Sequence, residues 1–149
     1  MTSKLRDRLY FYSSVELPMK LMQAMVENIG LYSCNNKGRV GIMGVTRDVA
    51  EEYGYRHLEM FNYDMCFAAG ARHFKKMLKE IRFNLPGIRL EEWYLFTLAC
   101  YCSGQEKVID SMKKLDKKEW DYYKARFSSG VEFSEKVWER FKSIGGEIT

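Results

Sequence analysis

The sequence predicts a mainly α-helical fold, and three observations support this. Apolar residues recur at steps of three and four along several segments, which is the spacing of one helix face. Capping residues stand at the starts of these segments and glycines follow their ends. The chain has 149 residues, two prolines and 46% hydrophobic residues, a length and composition typical of one compact domain. We therefore expect a single domain over residues 1–149.

The first predicted helix runs from about Pro18 to Ile29. Proline is well placed in a first helical turn, and Gly30 provides a stop just after the last one. The segment that follows, 31–45, is expected to be a loop or a short irregular ribbon. It carries three glycines that permit close approach of its backbone to a neighbour: Gly38, Gly41 and Gly44.

Three helices are predicted in the middle of the chain. Thr46 caps a short one, which Gly54 ends. A longer helix runs from about Asn62 to Arg82, because apolar side chains recur there at helical steps: Phe67, Ala71, Phe74, Leu78 and Ile81. The segment 89–102 follows a turn, is strongly apolar and lacks a clean polar face. It is therefore expected at the centre of the domain.

Three capping signatures predict three more helices near the end of the chain. In each, a capping residue stands three positions before a glutamate. The pairs are Ser103 with Glu106, Asp116 with Glu119, and Ser129 with Glu132. The last of these helices is expected to stop at Gly145 and Gly146, because glycine is the usual residue after a helix end.

The charge pattern excludes some classes of partner. The formal net charge is +4, from 24 basic against 20 acidic residues that are interleaved along the chain. Because no basic block stands out, no nucleic-acid partner is expected. No apolar run approaches the roughly 20 residues that cross a bilayer, and no secretion signal is recognised at the start. We expect no membrane span and synthesis in the cytoplasm.

The cysteines and histidines predict neither a disulfide framework nor a metal centre. Without a secretion signal, the four cysteines are expected to be free and partly buried thiols: Cys34, Cys66, Cys100 and Cys102. The two histidines, His57 and His73, lack the spacing of a zinc helix motif. We therefore expect no metal and no cofactor.

Four landmarks occur in an order that is similar to one known family. The segment GRVGIMGV at 38–45 resembles a glycine-rich G-L-M-Q motif, and FNYDMCFAAGARHFKKML at 61–78 resembles a D-P-x-x-N-I-x-x-G-A-x-Y-L helix. LACYCSG at 98–104 is similar to A-A-Y-N-A-G, and 132–144 resembles a terminal helix with an aromatic seam. These motifs resemble the transglycosylase SLT domain, a lysozyme-like family. The resemblance covers about 17–144.

The resemblance implies a lysozyme-like helical domain with a glycine-rich loop beside a cleft. It also implies cleavage of the β-1,4 bond between N-acetylmuramic acid and N-acetylglucosamine in peptidoglycan, with glycan strands as the partner. One glutamate would protonate the glycosidic oxygen and then accept a proton from the muramic C6 hydroxyl. Such an acid needs a partly desolvated site, because burial favours its neutral form.

Two alignments place the catalytic position differently. Matching V-E-N-I-G-L to the family's V-E-S-G-F makes Glu27 the acid and Asn28 the serine equivalent. Matching by helix phase, with Tyr32 on the family's aromatic, puts Ile29 at the catalytic position and removes the acid. The helical stripe of Lys20, Gln23 and Glu27 is typical of a solvated face. The sequence leaves both alignments open.

The other family positions predict contacts with the sugar. The resemblance gives Tyr101 as a hydroxyl that reaches the acid or the substrate, and Met43 as a residue that lines the cleft. Tyr32 is expected to stack on a sugar ring or to cover the first helix. Gly44 and Cys102 stand where the family has glutamine and asparagine, so two amide contacts are missing. Arg39 is expected in the loop that faces the cleft.

Three functions compete at this point. The first is an active lytic transglycosylase or muramidase that works in the cell wall or periplasm. The second is a catalytically silent lysozyme-like domain that binds glycan or serves as a structural part of an envelope or virion assembly. The third is an unrelated helical adaptor that binds protein through aromatic residues such as Trp120, Tyr122 and Tyr123.

Overall fold

A computed structural model of the chain describes residues 1–30, 38–114 and 131–148, without the side chains of Lys107 and Met112. This part of the chain is mainly α-helical, as predicted. Its elements are α1 (Ser3–Tyr12), α2 (Met19–Ile29), α3 (Arg47–Glu52), a short 3₁₀ helix (His57–Phe61), α4 (Tyr63–Asn84), α5 (Leu90–Ser103), α6 (Gln105–Lys113) and α7 (Val131–Ser143). In these ranges, no helix is both long and apolar enough to cross a lipid bilayer.

Several predicted helix starts are confirmed by their caps. Helix α2 begins directly after Pro18 and is followed by Gly30. The Thr46 hydroxyl accepts a hydrogen bond from the Val49 N–H at 3.4 Å, at the start of α3. The Asn62 side chain accepts one from the Met65 N–H at 3.1 Å, at the start of α4. Each cap satisfies a backbone donor that the first turn leaves free.

Two parts of the fold differ from the predictions. Helix α1 was not predicted, because it buries Leu9 alone and so lacks a clear apolar stripe. The predicted cap at Ser103 is wrong: this residue ends α5, and its hydroxyl has no partner among the described residues. Gly104, with φ of 94°, separates it from α6. The Asp116 signature and Ser129 lie outside the described residues.

Helix α5 lies at the centre of the domain, as predicted. Every residue from Tyr94 to Cys102 is buried, and the helix packs against α4, α6 and α7. The Tyr94 ring lies 6.2 Å from the Phe74 ring and 6.0 Å from the Trp138 ring, measured between centroids. The apolar residues around the whole circumference of α5 explain this position, since each side meets another helix.

The glycine-rich turn at 38–45 is held against the 3₁₀ helix and α4. Val40 and Val45 form an isolated antiparallel bridge, and Gly41 has a φ of 85°. A Cβ on Gly41 would lie 2.1 Å from the Met60 carbonyl oxygen, closer than any side chain tolerates. Because Gly41 has no side chain, the turn can approach the 3₁₀ helix closely. This close approach places Met43 in the core.

Candidate functional site

Glu27 faces α7 and forms an ion pair there. Its Oε2 lies 2.6 Å from Nε of Arg140, and its Oε1 accepts a hydrogen bond from Gln23 at 3.1 Å. The hydrogen bond from Arg140 holds the pKa of Glu27 below its ordinary value. The carboxyl group is therefore ionised at neutral pH, whereas a general acid must hold a proton.

An open groove of about 310 Å³ lies between the end of α2 and α7. Acidic and basic side chains both line it, so it has no strong preference for one sign of charge. The lining residues are Glu27, Asn28, Lys136, Glu139, Arg140 and Ser143. Glu27 and Asn28, the acid and the serine equivalent of the first alignment, are the predicted site residues among the described ones that line this groove.

Ile29 lies on the other side of α2 and touches the glycine-rich turn. Two residues along a helix correspond to about 200° of rotation, so Glu27 and Ile29 point in nearly opposite directions. A Cβ on Gly44 would lie 2.9 Å from Cγ2 of Ile29. This contact joins Ile29 to the turn that resembles the family's glycine-rich motif.

Met43 and Tyr101 meet inside the core. The Tyr101 hydroxyl donates a hydrogen bond of 2.5 Å to the Met43 carbonyl oxygen, and both side chains are buried. Burial raises the pKa of Tyr101. The Met43 side chain also lies against Gly70 of α4. A Cβ on Gly70 would be 2.9 Å from the Cβ of Met43. The Tyr101 hydroxyl thus has a backbone partner instead of a carboxyl group.

Arg39 fills the space between Gly44 and Tyr101. Its guanidinium donates hydrogen bonds to the carbonyl oxygens of Gly44 and Cys102, each at 2.9 Å, and to that of Tyr101. It also lies over the Tyr101 ring, with its Cζ 5.6 Å from the centroid. Arg39 was predicted to lie in a loop that faces the cleft. The sequence did not indicate its three hydrogen bonds to backbone carbonyls, which join the turn to the end of α5.

The prediction of free thiols is wrong at Cys102, which is disulfide-bonded. Cys102 therefore has no thiol group that could replace the amide of the family's asparagine at this position. Cys66 and Cys100 are free and buried. Burial raises the pKa of Cys66 to about 11 and also raises that of Cys100, so neither thiol is poised to act as a nucleophile.

Two of the residues with a predicted role in this segment fall outside the described ranges. They are Tyr32 in the predicted cleft and Cys34, which was predicted to be a free thiol. The aromatic residues Trp120, Tyr122 and Tyr123 also lie outside. Substrate contact at Tyr32, Met43, Gly44, Tyr101 and Cys102 stays a prediction.

His73 also belongs to this region, although it was not predicted as a site residue from the sequence. Its ring lies 5.8 Å from the Tyr101 ring between centroids. Burial lowers the pKa of His73 to about 4, so the imidazole is neutral at pH 7. Helical spacing could have placed His73 on a buried face of α4, because the buried Gly70 and Met77 stand three positions before it and four after it. It gives no sign of the neighbouring Arg39.

The described residues bring together no group of three histidine, cysteine, aspartate or glutamate side chains that could hold a metal ion. No protein-family model, curated protein or solved structure matches the chain. The likeness to the transglycosylase SLT domain therefore rests on the motifs in the sequence, and any function must be argued from the side chains themselves.

Proposed function

We propose that this chain is a lysozyme-like domain without glycosidase activity, which serves as a structural or binding part of an envelope or phage assembly. The contact of Ile29 with Gly44 carries the proposal. If the chain shares the lysozyme-like arrangement, this contact puts an isoleucine where the acid of an active enzyme would stand. Glu27 faces the opposite side of α2.

The state of Glu27 supports the same conclusion. A glycosidase acid is tuned by burial, which raises the pKa of its carboxyl group into the working range. Glu27 has the reverse environment, because the bond from Arg140 lowers its pKa. An ionised carboxylate paired with a guanidinium cannot donate the proton that the leaving oxygen needs.

The cavity that the described residues form beside Gly44 and Tyr101 is too small for a sugar. The cavity there is about 20 Å³, whereas sites for small molecules are typically about 300–1,000 Å³. Arg39 accounts for this, since its guanidinium lies over the Tyr101 ring and bonds to three backbone carbonyls. A glycan strand would have to displace these bonds before it could enter.

A role in an assembly is supported by exposed apolar side chains in two segments of the chain, 10–15 and 58–63. Arg8 of α1 lies over the Tyr63 ring at the start of α4, with its Cζ 5.8 Å from the centroid. Large apolar side chains in these two segments are exposed, a feature typical of binding surfaces. They are Tyr10, Phe11, Val15, Leu58, Phe61 and Tyr63.

The second candidate is the lytic transglycosylase, with Glu27 as its acid and base. The observation that favours it is the groove of about 310 Å³ beside Glu27, which reaches the size of a small-molecule site. In this case the chain would cut the MurNAc-GlcNAc β-1,4 bond in the cell wall or periplasm. Arg140 would have to release Glu27 for it to become protonated.

Incubation of purified peptidoglycan with the wild-type chain and with Glu27→Gln separates the two candidates. We expect no soluble muropeptides from either protein between about pH 4 and 8, because neither holds a protonated carboxyl in a closed site. Mass spectrometry of the supernatant measures this, with a known muramidase as the positive control. Product release by the wild type contradicts the silent domain. A loss of that release by at least about 10²-fold in Glu27→Gln would identify the acid.

A further inference from the structure

A small cavity lies where the glycine-rich turn, α3, α4 and α5 meet. Its volume is about 20 Å³, enough for one particle the size of a water molecule. Polar and apolar side chains both line it. They are Arg39, Gly44, Val45, Thr46, Val49, His73 and Tyr101.

Two buried nitrogen atoms on the residues around this cavity have no hydrogen-bond partner among the described residues. They are Nε of Arg39 and Nδ1 of His73. Buried polar groups without a partner are rare in folded proteins, because such groups lose their bonds to water and gain nothing in return. Since both side chains line the same cavity, one occupant can satisfy both atoms.

Among the residues that line the cavity, Arg39 carries the one fixed charge, and this positive charge favours an anion over neutral water. The guanidinium of Arg39 stays protonated inside proteins. Its hydrogen bonds to described residues all go to uncharged backbone carbonyls, and Arg39 takes part in none of the ion pairs of the described ranges. Buried charges are normally paired, but no described residue supplies an opposite charge to Arg39.

We propose that this cavity binds a single anion of halide size, chloride in solution, between Arg39 and His73. Arg39 donates through Nε–H. His73 is neutral and donates through Nδ1–H, which fixes the proton on that nitrogen. Phosphate and sulfate are too large for about 20 Å³. The bound ion neutralises the guanidinium that joins the glycine-rich turn to the end of α5.

Chloride binding must stabilise the folded chain, because the site exists in the folded state alone. For one ion, the folding equilibrium constant rises about tenfold for each tenfold rise in chloride above the dissociation constant. Sodium gluconate at equal ionic strength is the reference salt, because gluconate cannot enter the cavity. A difference in stability between chloride and gluconate therefore reports specific binding and not a general salt effect.

Urea unfolding of the full chain at pH 7 tests the proposal, in chloride and in gluconate. We expect the wild type to be more stable in chloride, and His73→Leu to lose the difference. Arg47→Gln is the matched control, because Arg47 stands near the cavity in sequence but is exposed and pairs with Glu51. It should keep the full response. An equal chloride response in the wild type and His73→Leu would overturn the site.

Arg39→Gln is a second variant for the same unfolding comparison in chloride and gluconate. Crystals soaked in sodium bromide give a measurement that does not depend on stability. The anomalous signal of bromide is expected at one position between Arg39 Nε and His73 Nδ1. A single water molecule at that position, with no bromide peak and no chloride response, would overturn the proposal.

Discussion

Gly41→Ala is expected to destabilise the chain by more than about 4 kcal/mol, which places it among the most damaging single substitutions. A left-handed backbone costs alanine about 1–2 kcal/mol. The larger part comes from the new Cβ, which would lie 2.1 Å from the Met60 carbonyl oxygen and 2.8 Å from Sγ of Cys66. The new Cβ has no room to move away, because backbone lies on one side of it and the α4 core on the other. Urea unfolding followed by circular dichroism measures the loss.

Gly54→Ala is the matched control for this prediction. Gly54 has nearly the same backbone conformation, with φ of 83°, but no described atom lies within 4 Å of the position of its Cβ. We expect a loss of about 1–2 kcal/mol there, from the backbone alone. If Gly41→Ala were as stable as Gly54→Ala, the close approach of the glycine-rich turn to the 3₁₀ helix would be wrong.

The second large effect is a loss of stability in mild acid, which we assign to His73. The pKa of this histidine is about 4 in the folded chain, against an ordinary value of 6.5, because burial disfavours the charged imidazolium. Between these two values the unfolded chain binds a proton that the folded chain does not. Stability is therefore full above about pH 6.5 and falls toward pH 4, by up to about 3 kcal/mol from this group.

Urea unfolding at pH 6.5 and at pH 4.5 in sodium gluconate, with no chloride to occupy the cavity beside His73, measures this contribution. His73→Gln removes the titrating group, so the loss between the two pH values should be smaller in the variant by up to about 1.4 kcal/mol per pH unit. Carboxylates titrate in both proteins and cancel in the comparison. An identical loss in wild type and variant would show that His73 is not buried in its neutral form.

Much of the fold could be predicted from local signals in the sequence. The cap at Thr46, the stop at Gly30 and the apolar surface of α5 each act through residues a few positions apart, and the structure confirms all three. Helix α1 escaped prediction because it is stabilised through Leu9 and its contacts with α2 and α4. Such tertiary contacts leave no periodic pattern.

The candidate site was harder to predict because its decisive contacts join distant parts of the chain. Glu27 and Arg140 are separated by 113 positions, and Arg39 and Tyr101 by 62. No spacing rule connects such pairs. The helix-phase alignment put Ile29 at the catalytic position, and the structure has Ile29 in contact with Gly44 of the glycine-rich turn. Which of the two alignments is right stays a prediction.

The most direct test of the silent-domain account is the titration of the Glu27 carboxyl group by ¹³C NMR, in the wild type and in Arg140→Gln. The account predicts a pKa below the ordinary value of glutamate in the wild type, because Arg140 donates a hydrogen bond to the ionised form. The pKa should then rise in Arg140→Gln. A wild-type pKa above the ordinary value, with the proton retained toward neutral pH, would contradict the account and return Glu27 to the role of a general acid.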